Sequence, residues 1–234
     1  SVAWSLDGLG GAITPEGRFK ADASKGNHGG KVKATVGALS ATGRVRAFAP
    51  LPWSFDFESG KIPAEWVGAG RLTIAEGAGG KTLHKAPVQT GLNRATVYIG
   101  PSSMAGYTIE CDLKAVRQGR RMPDLGLMGG GYTLDLQGNH QRLQVRTWAS
   151  ELAFSKQVDF PWEADTWYRM KLRVDVEAAR TVARGKVWKK AEPEPADWTL
   201  VYEDGTRIPS GAPGIYGDSS VDIDWDNLSV VVNR

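Results

Sequence analysis

Two stretches of this chain alternate apolar and polar residues with the period of a β-strand. They are residues 54–66, SFDFESGKIPAEW, and residues 221–232, VDIDWDNLSVVV. Successive side chains of a strand point to opposite faces, so this period places one face of each stretch against a core and the other in water. We therefore expect the two stretches to be the first and last strands of one β-sandwich that closes on itself.

Strand signals recur along the whole region between these two stretches. They fall at residues 70–75, 81–86, 94–100, 106–116, 124–136, 141–148, 166–177, 181–189, 197–203, 213–217 and 220–232, with Gly, Pro or Asn at most joints. Short strands at such spacing are typical of a jelly roll or a lectin-like sandwich. The only helical candidate, around 178–180, is better interpreted as a turn. The sequence therefore predicts an all-β protein.

The first 49 residues form a separate region of short alternating runs divided by Gly and Asn turns. These runs resemble the later strands of a bacterial immunoglobulin-like (Big) domain, but they are too few for a complete one. Pro50 and Pro52 then provide a stiff linker, because proline fixes φ and removes a backbone donor. We predict a partial Ig-like β unit over residues 1–49 and a jelly-roll, lectin-like β-sandwich over residues 50–234.

The composition excludes several classes of protein. Cys111 is the single cysteine, so it forms no internal disulfide, and its place between Ile109 and Leu113 predicts a buried thiol. No run of about 18 apolar residues is present, so we expect no transmembrane segment. Nucleic-acid binding is disfavoured because the net charge is only +3 and no such motif occurs. The start at Ser1 indicates a processed protein or a fragment.

Strand parity predicts one outer surface that is both aromatic and basic. It places Trp148 with Arg146, Trp167 with Arg169 and Lys171, and Trp188 with Arg184 and Lys186. If these strands are neighbours in one sheet, indole rings that stack on sugar rings lie beside planar hydrogen-bonding groups. The surface then suits a glycan. The alternative is that other parts of the protein cover the indoles, and that the basic residues form an ordinary solvated face.

Several phrases of the sandwich region resemble known families. The FESG of residues 57–60 with Trp66, and the WDNLSV of residues 225–230, are similar to the entry and exit strands of family 4 carbohydrate-binding modules. LPWSFDFE (51–58), GGGYTLDL (129–136), WYRMKLR (167–173) and GKVWKKAEPEP (185–195) resemble the C-terminal concanavalin-like sandwich of PQQ-like β-propeller proteins of planctomycete-type bacteria. This resemblance implies an exported protein, periplasmic or at the cell surface, without a transferable activity.

Four acids on the two terminal stretches are candidate ligands of a structural calcium ion. They are Asp56, Glu58, Asp224 and Asp226, and Ca²⁺ prefers six to eight oxygen ligands of this kind. The resemblance to the binding modules assigns this role best to Glu58 and Asp226. The alternative is that alternating acids keep an edge strand soluble.

We considered three functions for this chain. The first is a non-catalytic module that binds carbohydrate through Trp148, Trp167, Trp188, Arg146, Arg169 and Lys171. The second is an extrinsic scaffold that docks on a larger envelope or membrane-bound protein assembly. The third is a glycoside-active enzyme using Glu110 and Asp112, which share one strand face. Lectin-like glycosidases of the laminarinase type carry a Glu-x-Asp-x-Glu array, whereas the third position here is Lys114.

Overall fold

The computed structural model describes residues 1–77, 79–87, 93–147, 155–205 and 208–234. Within these ranges the chain forms nineteen β-strands and two short 3-10 turns, at Ala23–Lys25 and Ala69–Arg71. The strands are β1 (Ala3–Asp7), β2 (Gly11–Ile13), β3 (Phe19–Ala21), β4 (His28–Val36), β5 (Leu39–Ala47), β6 (Trp53–Phe55), β7 (Thr73–Gly77), β8 (Gly80–Lys85), β9 (Arg94–Tyr98), β10 (Tyr107–Ala115), β11 (Asp124–Gly129), β12 (Tyr132–Gln137), β13 (Arg142–Thr147), β14 (Ser155–Asp159), β15 (Tyr168–Val176), β16 (Thr181–Lys189), β17 (Leu200–Asp204), β18 (Gly214–Asp218) and β19 (Ile223–Val232). The predicted all-β class is confirmed.

The contacts divide the chain into two compact units. The first unit comprises residues 1–50 and 63–67. It contains an antiparallel sheet in the order β1-β4-β5 and the β2-β3 hairpin. We predicted a boundary between residues 49 and 50; residues 63–67 additionally belong to this first unit. Its likeness to part of an Ig-like domain stays a prediction.

The second unit, residues 51–62 and 68–234, is a sandwich of two antiparallel sheets. One sheet has eight strands, in the order β17-β16-β15-β10-β19-β8-β7, with β6 also paired to β19. The other has six strands, in the order β14-β13-β12-β11-β18-β9. The first and last strands of the sandwich, β6 and β19, are hydrogen-bonded partners, with Ser54 opposite Ser229. This is the closure that the two alternating stretches predicted.

The core lies between the two sheets, as the period-2 pattern requires. On β10 the side chains of Tyr107, Ile109, Cys111 and Leu113 are fully buried. The sheets approach closely where glycine removes a side chain: a Cβ on Gly185 of β16 would lie 2.4 Å from Leu134 of β12. The buried, free thiol of Cys111 agrees with its predicted role as a small core hydrophobe.

The observed strands differ from the predicted ones at several local irregularities. The single strand predicted over 124–136 is a hairpin, because Gly130 and Gly131 adopt positive φ angles of 57° and 88°. Strand β14 was not predicted. In β19 the pairing shifts register near Asn227, whose φ is 49°. This β-bulge changes the parity of the strand, so that Trp225 and Leu228 both face the core.

The structure also bears on the membrane prediction. No helix in the described ranges is both long and apolar enough to span a bilayer.

Candidate functional site

Four of the predicted contact residues lie together on the outer face of the eight-stranded sheet. Arg169 and Lys171 of β15 face outward between buried Tyr168, Met170 and Leu172, as parity predicted. Trp188 of β16 is directly opposite Arg169 in the sheet register. Trp167 immediately precedes β15 and is half-buried. The sequence therefore identified this part of the surface correctly.

Arg146, another predicted contact residue, is not part of this surface. Arg146 lies on β13, which belongs to the six-stranded sheet, and its side chain faces outward there. Parity assigned Arg146 to an outer face correctly, but it did not show that β13 and β15 lie in different sheets. The expected continuous strip is therefore wrong in this respect. Trp148 lies outside the described residues.

The basic groups of the eight-stranded sheet are neutralised by carboxylates on neighbouring strands. Arg169 donates from Nη1 to Asp112 and from Nη2 to Glu110, both at 3.0 Å. Lys171 Nζ lies 2.8 Å from Glu110 and 2.6 Å from Glu194. Burial lowers the pKa of Lys171, but the hydrogen bonds and charges of these two acids outweigh that effect and raise it. The face is an ion-pair network rather than a strip of free cations.

The indole rings on this face contact lysine ammonium groups. Trp167 has Lys114 and Lys190 at 5.1 and 5.5 Å from its ring centroid. Lys186 lies 6.0 Å from the ring centroid of Trp188 and 4.8 Å from that of Trp198. These are cation–π distances, so the ammonium groups help to fix the orientation of the rings.

Two adjoining depressions flank Trp198, a residue that sequence reasoning did not select. The first has a volume of about 650 Å³. It is lined by the polar and aromatic residues Thr108, Glu110, Lys171, Arg173, Trp198, Asn233 and Arg234 and by the apolar residues Leu51, Pro52, Val231 and Val232. The second, of about 460 Å³, is lined by Arg173, Asp175, Glu177, Arg184 and Trp198. Trp198 and Arg173 belong to both, so the two depressions form one groove, which we call the Trp198 groove.

The loop between β16 and β17 positions Trp198. Its Glu194 carboxylate bridges Lys171 of β15 at 2.6 Å and Lys186 of β16 at 2.7 Å. Lys186 also donates a hydrogen bond of 2.7 Å to the carbonyl of Pro195. The EPEP sequence of residues 192–195 is typical of a rigid surface loop, since its two prolines restrict the backbone. The bridging of two strands depends on the sheet pairing and was not predictable from the loop itself.

A second polar cluster lies on the outer face of the six-stranded sheet. Asp135 of β12 is only 1% exposed, and neither carboxylate oxygen accepts a hydrogen bond of normal geometry. Arg146 Nη2 lies 3.0 Å from its Oδ2. Burial raises the pKa of Asp135 to about 7; nearby Asp124 and Asp218 act in the same direction, while Arg146 and Gln137 oppose them. No sequence pattern indicated this cluster, because its members lie on four different strands, β11, β12, β13 and β18, and meet only once these strands pair.

The four acids predicted to bind calcium do not gather into one group. Asp224 pairs with His84 at 2.8 Å and Lys114 at 3.3 Å. Glu58 Oε1 accepts the backbone N–H of Lys81, and Asp56 accepts the N–H of Glu58. Among the described residues, no set of three or more acidic, histidine or cysteine side chains is arranged to hold a metal ion. The arrangement does not fit a four-carboxylate site for Ca²⁺.

Asp226, the fourth predicted ligand, also lies on the outer face of β19. Burial is the main cause of its raised pKa, and Asp112 and Glu58 add to the shift as neighbouring negative charges. Glu58 and Asp226, the pair favoured by the family resemblance, are thus close enough to interact. A calcium ion at this pair stays a prediction from the sequence.

The two acids considered for hydrolysis are both engaged in ion pairs. Arg169 binds Glu110 and Asp112 together, and Lys190 Nζ lies 2.6 Å from Asp112. The Asp112 side chain is only 3% exposed. Asp112 is therefore enclosed by its partners, whereas Glu110, although paired with Arg169 and Lys171, also lines the depression described above.

Comparison with known proteins shows a lectin-like fold. No protein-family model and no curated protein matches the chain. A Bacillus subtilis protein of unknown function with a galectin-like fold has a TM-score of 0.52 at 12% identity, over 73% of this chain and 91% of that one. Arcelin-5, a lectin-like defense protein from Phaseolus vulgaris, has a TM-score of 0.51 at 7% identity, over 76% and 97%.

A third similar structure is the binding domain of Paraclostridial Mosquitocidal Protein 1. Its TM-score is 0.52 at 12% identity, over 77% of this chain, which spans about half (48%) of that structure. At such identities the likeness shows the fold alone. The sandwich of this chain is a galectin- and lectin-like jelly roll, an architecture that is shared by binding proteins and by enzymes.

Proposed function

We propose that this chain is a non-catalytic carbohydrate-binding module, and that the glycan binds in the Trp198 groove. The observation that supports this most is that one indole and one guanidinium, Trp198 and Arg173, are shared by two adjoining depressions. A sugar chain lying across both depressions would contact the same aromatic wall with successive residues. The lectin-like fold supports the proposal only at the level of architecture.

The groove has the chemistry that sugar recognition requires. Its two parts, about 650 and 460 Å³, have the size of typical small-molecule sites. The apolar C–H face of a pyranose packs on an indole. Carboxylate and guanidinium groups such as Glu110 and Arg173 provide planar hydrogen bonding to hydroxyls. The same wall contains Lys171, one of the residues predicted from the sequence.

The remaining predicted residues of this face have supporting roles in the proposal. Arg169 does not line the groove; it holds the Glu110 carboxylate that does. Trp188 packs near Lys186, which contacts Trp198. Trp167 lies at the other end of β15, so it is a peripheral contact in this arrangement. Arg146 belongs to the other sheet and has no role at this groove.

We also propose that the chain works outside the cytoplasm, in the periplasm or at the cell surface. The support for this is the sequence resemblance to exported sandwich domains. Fractionation of the native host, with antibody detection of the chain, tests it; recovery with soluble cytoplasmic proteins alone would contradict it.

Glycan-array screening followed by titration of the strongest polysaccharide tests the binding function. We expect Trp198→Ala to weaken binding at least about fivefold, since stacking of a flat ligand face on an aromatic ring contributes about 1–3 kcal/mol. Trp4→Ala is the matched control, because it removes a half-buried indole from β1 of the first unit. Equal affinities for the wild type and Trp198→Ala would refute the site. Absence of any glycan binding, with co-purification of a larger envelope assembly, would favour the scaffold function instead.

A further inference from the structure

Three cations that line the Trp198 groove, Lys171, Arg173 and Arg184, are engaged by acids of the protein itself, and the carbonyl of Arg234, a fourth lining residue, accepts a hydrogen bond from Arg173. Lys171 contacts Glu110 and Glu194 at 2.8 and 2.6 Å. Arg173 donates from Nε to Asp175 at 2.8 Å, and Arg184 pairs with the same carboxylate. An anionic ligand would have to compete with these carboxylates for every one of these groups. Lys171, Arg173 and Arg184 therefore offer hydrogen bonds as members of ion pairs rather than as free cations.

Glu194 is the acid that pairs with two of the basic residues, Lys171 and Lys186. It is on the loop between β16 and β17, and its Oε1 contacts the ammonium groups of two different strands. Burial raises the pKa of Glu194, but hydrogen bonds and charges from Lys171 and Lys186 outweigh this and lower it, so it stays ionised at neutral pH. Without the charge of Glu194, Glu110 would be the remaining acid beside Lys171. The net charge around the groove would then be more positive by one unit.

We infer that the Trp198 groove selects uncharged glycans over sulfated or uronic-acid glycans, and that Glu194 sets this selectivity. The inference rests on the proposed function and specifies its ligand class. A neutral hydroxyl accepts from Lys171 or Arg173 and donates to their carboxylates without breaking the ion pairs. A sulfate or carboxylate gains the cations only by displacing those acids, and it is repelled by them at close range.

Replacing Glu194 by the uncharged residue glutamine tests the inference. Dextran and dextran sulfate are the probes, since they share one backbone and differ in charge, together with the neutral glycan found by array screening. At 150 mM salt we expect the wild type and Glu192→Gln to bind dextran sulfate equally weakly. Glu194→Gln should bind dextran sulfate about fivefold more tightly than the wild type. This is the effect expected of one added positive charge near the surface.

Two further variants separate a charge effect from a loss of loop structure. Glu192→Gln makes the same charge change on the same exposed loop without a groove contact. The double variant Glu194→Gln/Lys171→Met removes one negative and one positive charge, so the net charge of the groove returns to that of the wild type. It should therefore lose the increased affinity for dextran sulfate. Equal binding by Glu194→Gln and Glu192→Gln, or tight salt-sensitive binding of dextran sulfate by the wild type, would overturn the inference. Failure of the wild type to bind any neutral glycan would instead overturn the proposed function, while the dextran sulfate comparison would still decide the charge balance.

Discussion

Replacing Asp135 by asparagine should remove a pH-dependent cost of folding. The pKa of this carboxyl rises from 3.8 to about 7 in the folded protein. Between these values the folded state holds a proton that the unfolded state has lost, so stability falls as pH rises. A shift of about 3 units corresponds to about 4 kcal/mol, because each unit is worth about 1.4 kcal/mol. The side chain is 1% exposed, so solvent screens this cost little.

The sign of the effect follows from the direction of the shift. Below pH 4 the carboxyl is protonated in both states, and it contributes no penalty. As pH rises through 7 the buried side chain ionises beside Asp124 and Asp218, with Arg146 as its ion-pair partner. The penalty is then fully present. The amide of the Asp135→Asn variant has no such equilibrium, so the variant should gain stability relative to the wild type as the pH increases.

The assay is urea denaturation of both proteins at several pH values from 4 to 8. We expect the difference in unfolding free energy to grow in favour of Asp135→Asn by about 1.4 kcal/mol per pH unit, reaching about 4 kcal/mol. Asp159→Asn is the control, because Asp159 is on β14 of the same sheet with a side chain that is 92% exposed. A difference that is constant with pH, or equal for both variants, would refute the reasoning.

Three shorter predictions concern the core and the outer face. Cys111 should not react with a thiol reagent until the protein unfolds, because burial raises its pKa and excludes the reagent; this is measured by the rate of labelling in and out of urea. Tyr107→Phe should destabilise the sandwich by about 1–3 kcal/mol in urea titrations, since the buried hydroxyl donates to Gly211 at 2.7 Å and accepts from the Gly130 N–H at 2.8 Å. Arg169→Met should destabilise more than Arg142→Met in the same assay, because it leaves two partly buried carboxylates without their shared partner.

The faces of individual strands were predictable because they depend on a local pattern. On β15 the buried and outward sets follow the alternation seen in the sequence. On β10 the apolar set is buried as the alternation predicts, but Thr108 and Asp112 on the opposite face, expected to face water, are buried as well, because neighbouring strands and side chains cover them. Core burial of Cys111 follows in the same way. A pleated strand with one apolar side can bury that side in only one orientation. This is why the jelly-roll class was correct without knowledge of the strand order.

The strand order itself was not predictable from this pattern. The alternating strands β13 and β15 have outward arginines of the same kind, Arg146 and Arg169, yet they lie in different sheets. Parity shows which side of a strand is wet and contains no information about its neighbours. The β-bulge at Asn227 adds a second difficulty, because it reverses parity within one strand. Any surface assembled from several strands by parity alone therefore needs the pairing before its members can be combined.

The same limit explains why the sequence analysis overestimated the basic character of the outer face of the eight-stranded sheet. A count of outward Arg and Lys residues on β15 and β16 ignores the acids of β10 and of the following loop. In the structure Glu110 and Glu194 reach those cations at 2.6–2.8 Å. Such a pair still donates and accepts hydrogen bonds, but its long-range field largely cancels. What distinguishes this face is therefore the shape of the groove around Trp198, with fixed ion pairs in its walls. If the proposed function holds, recognition there depends on hydroxyl geometry more than on ligand charge.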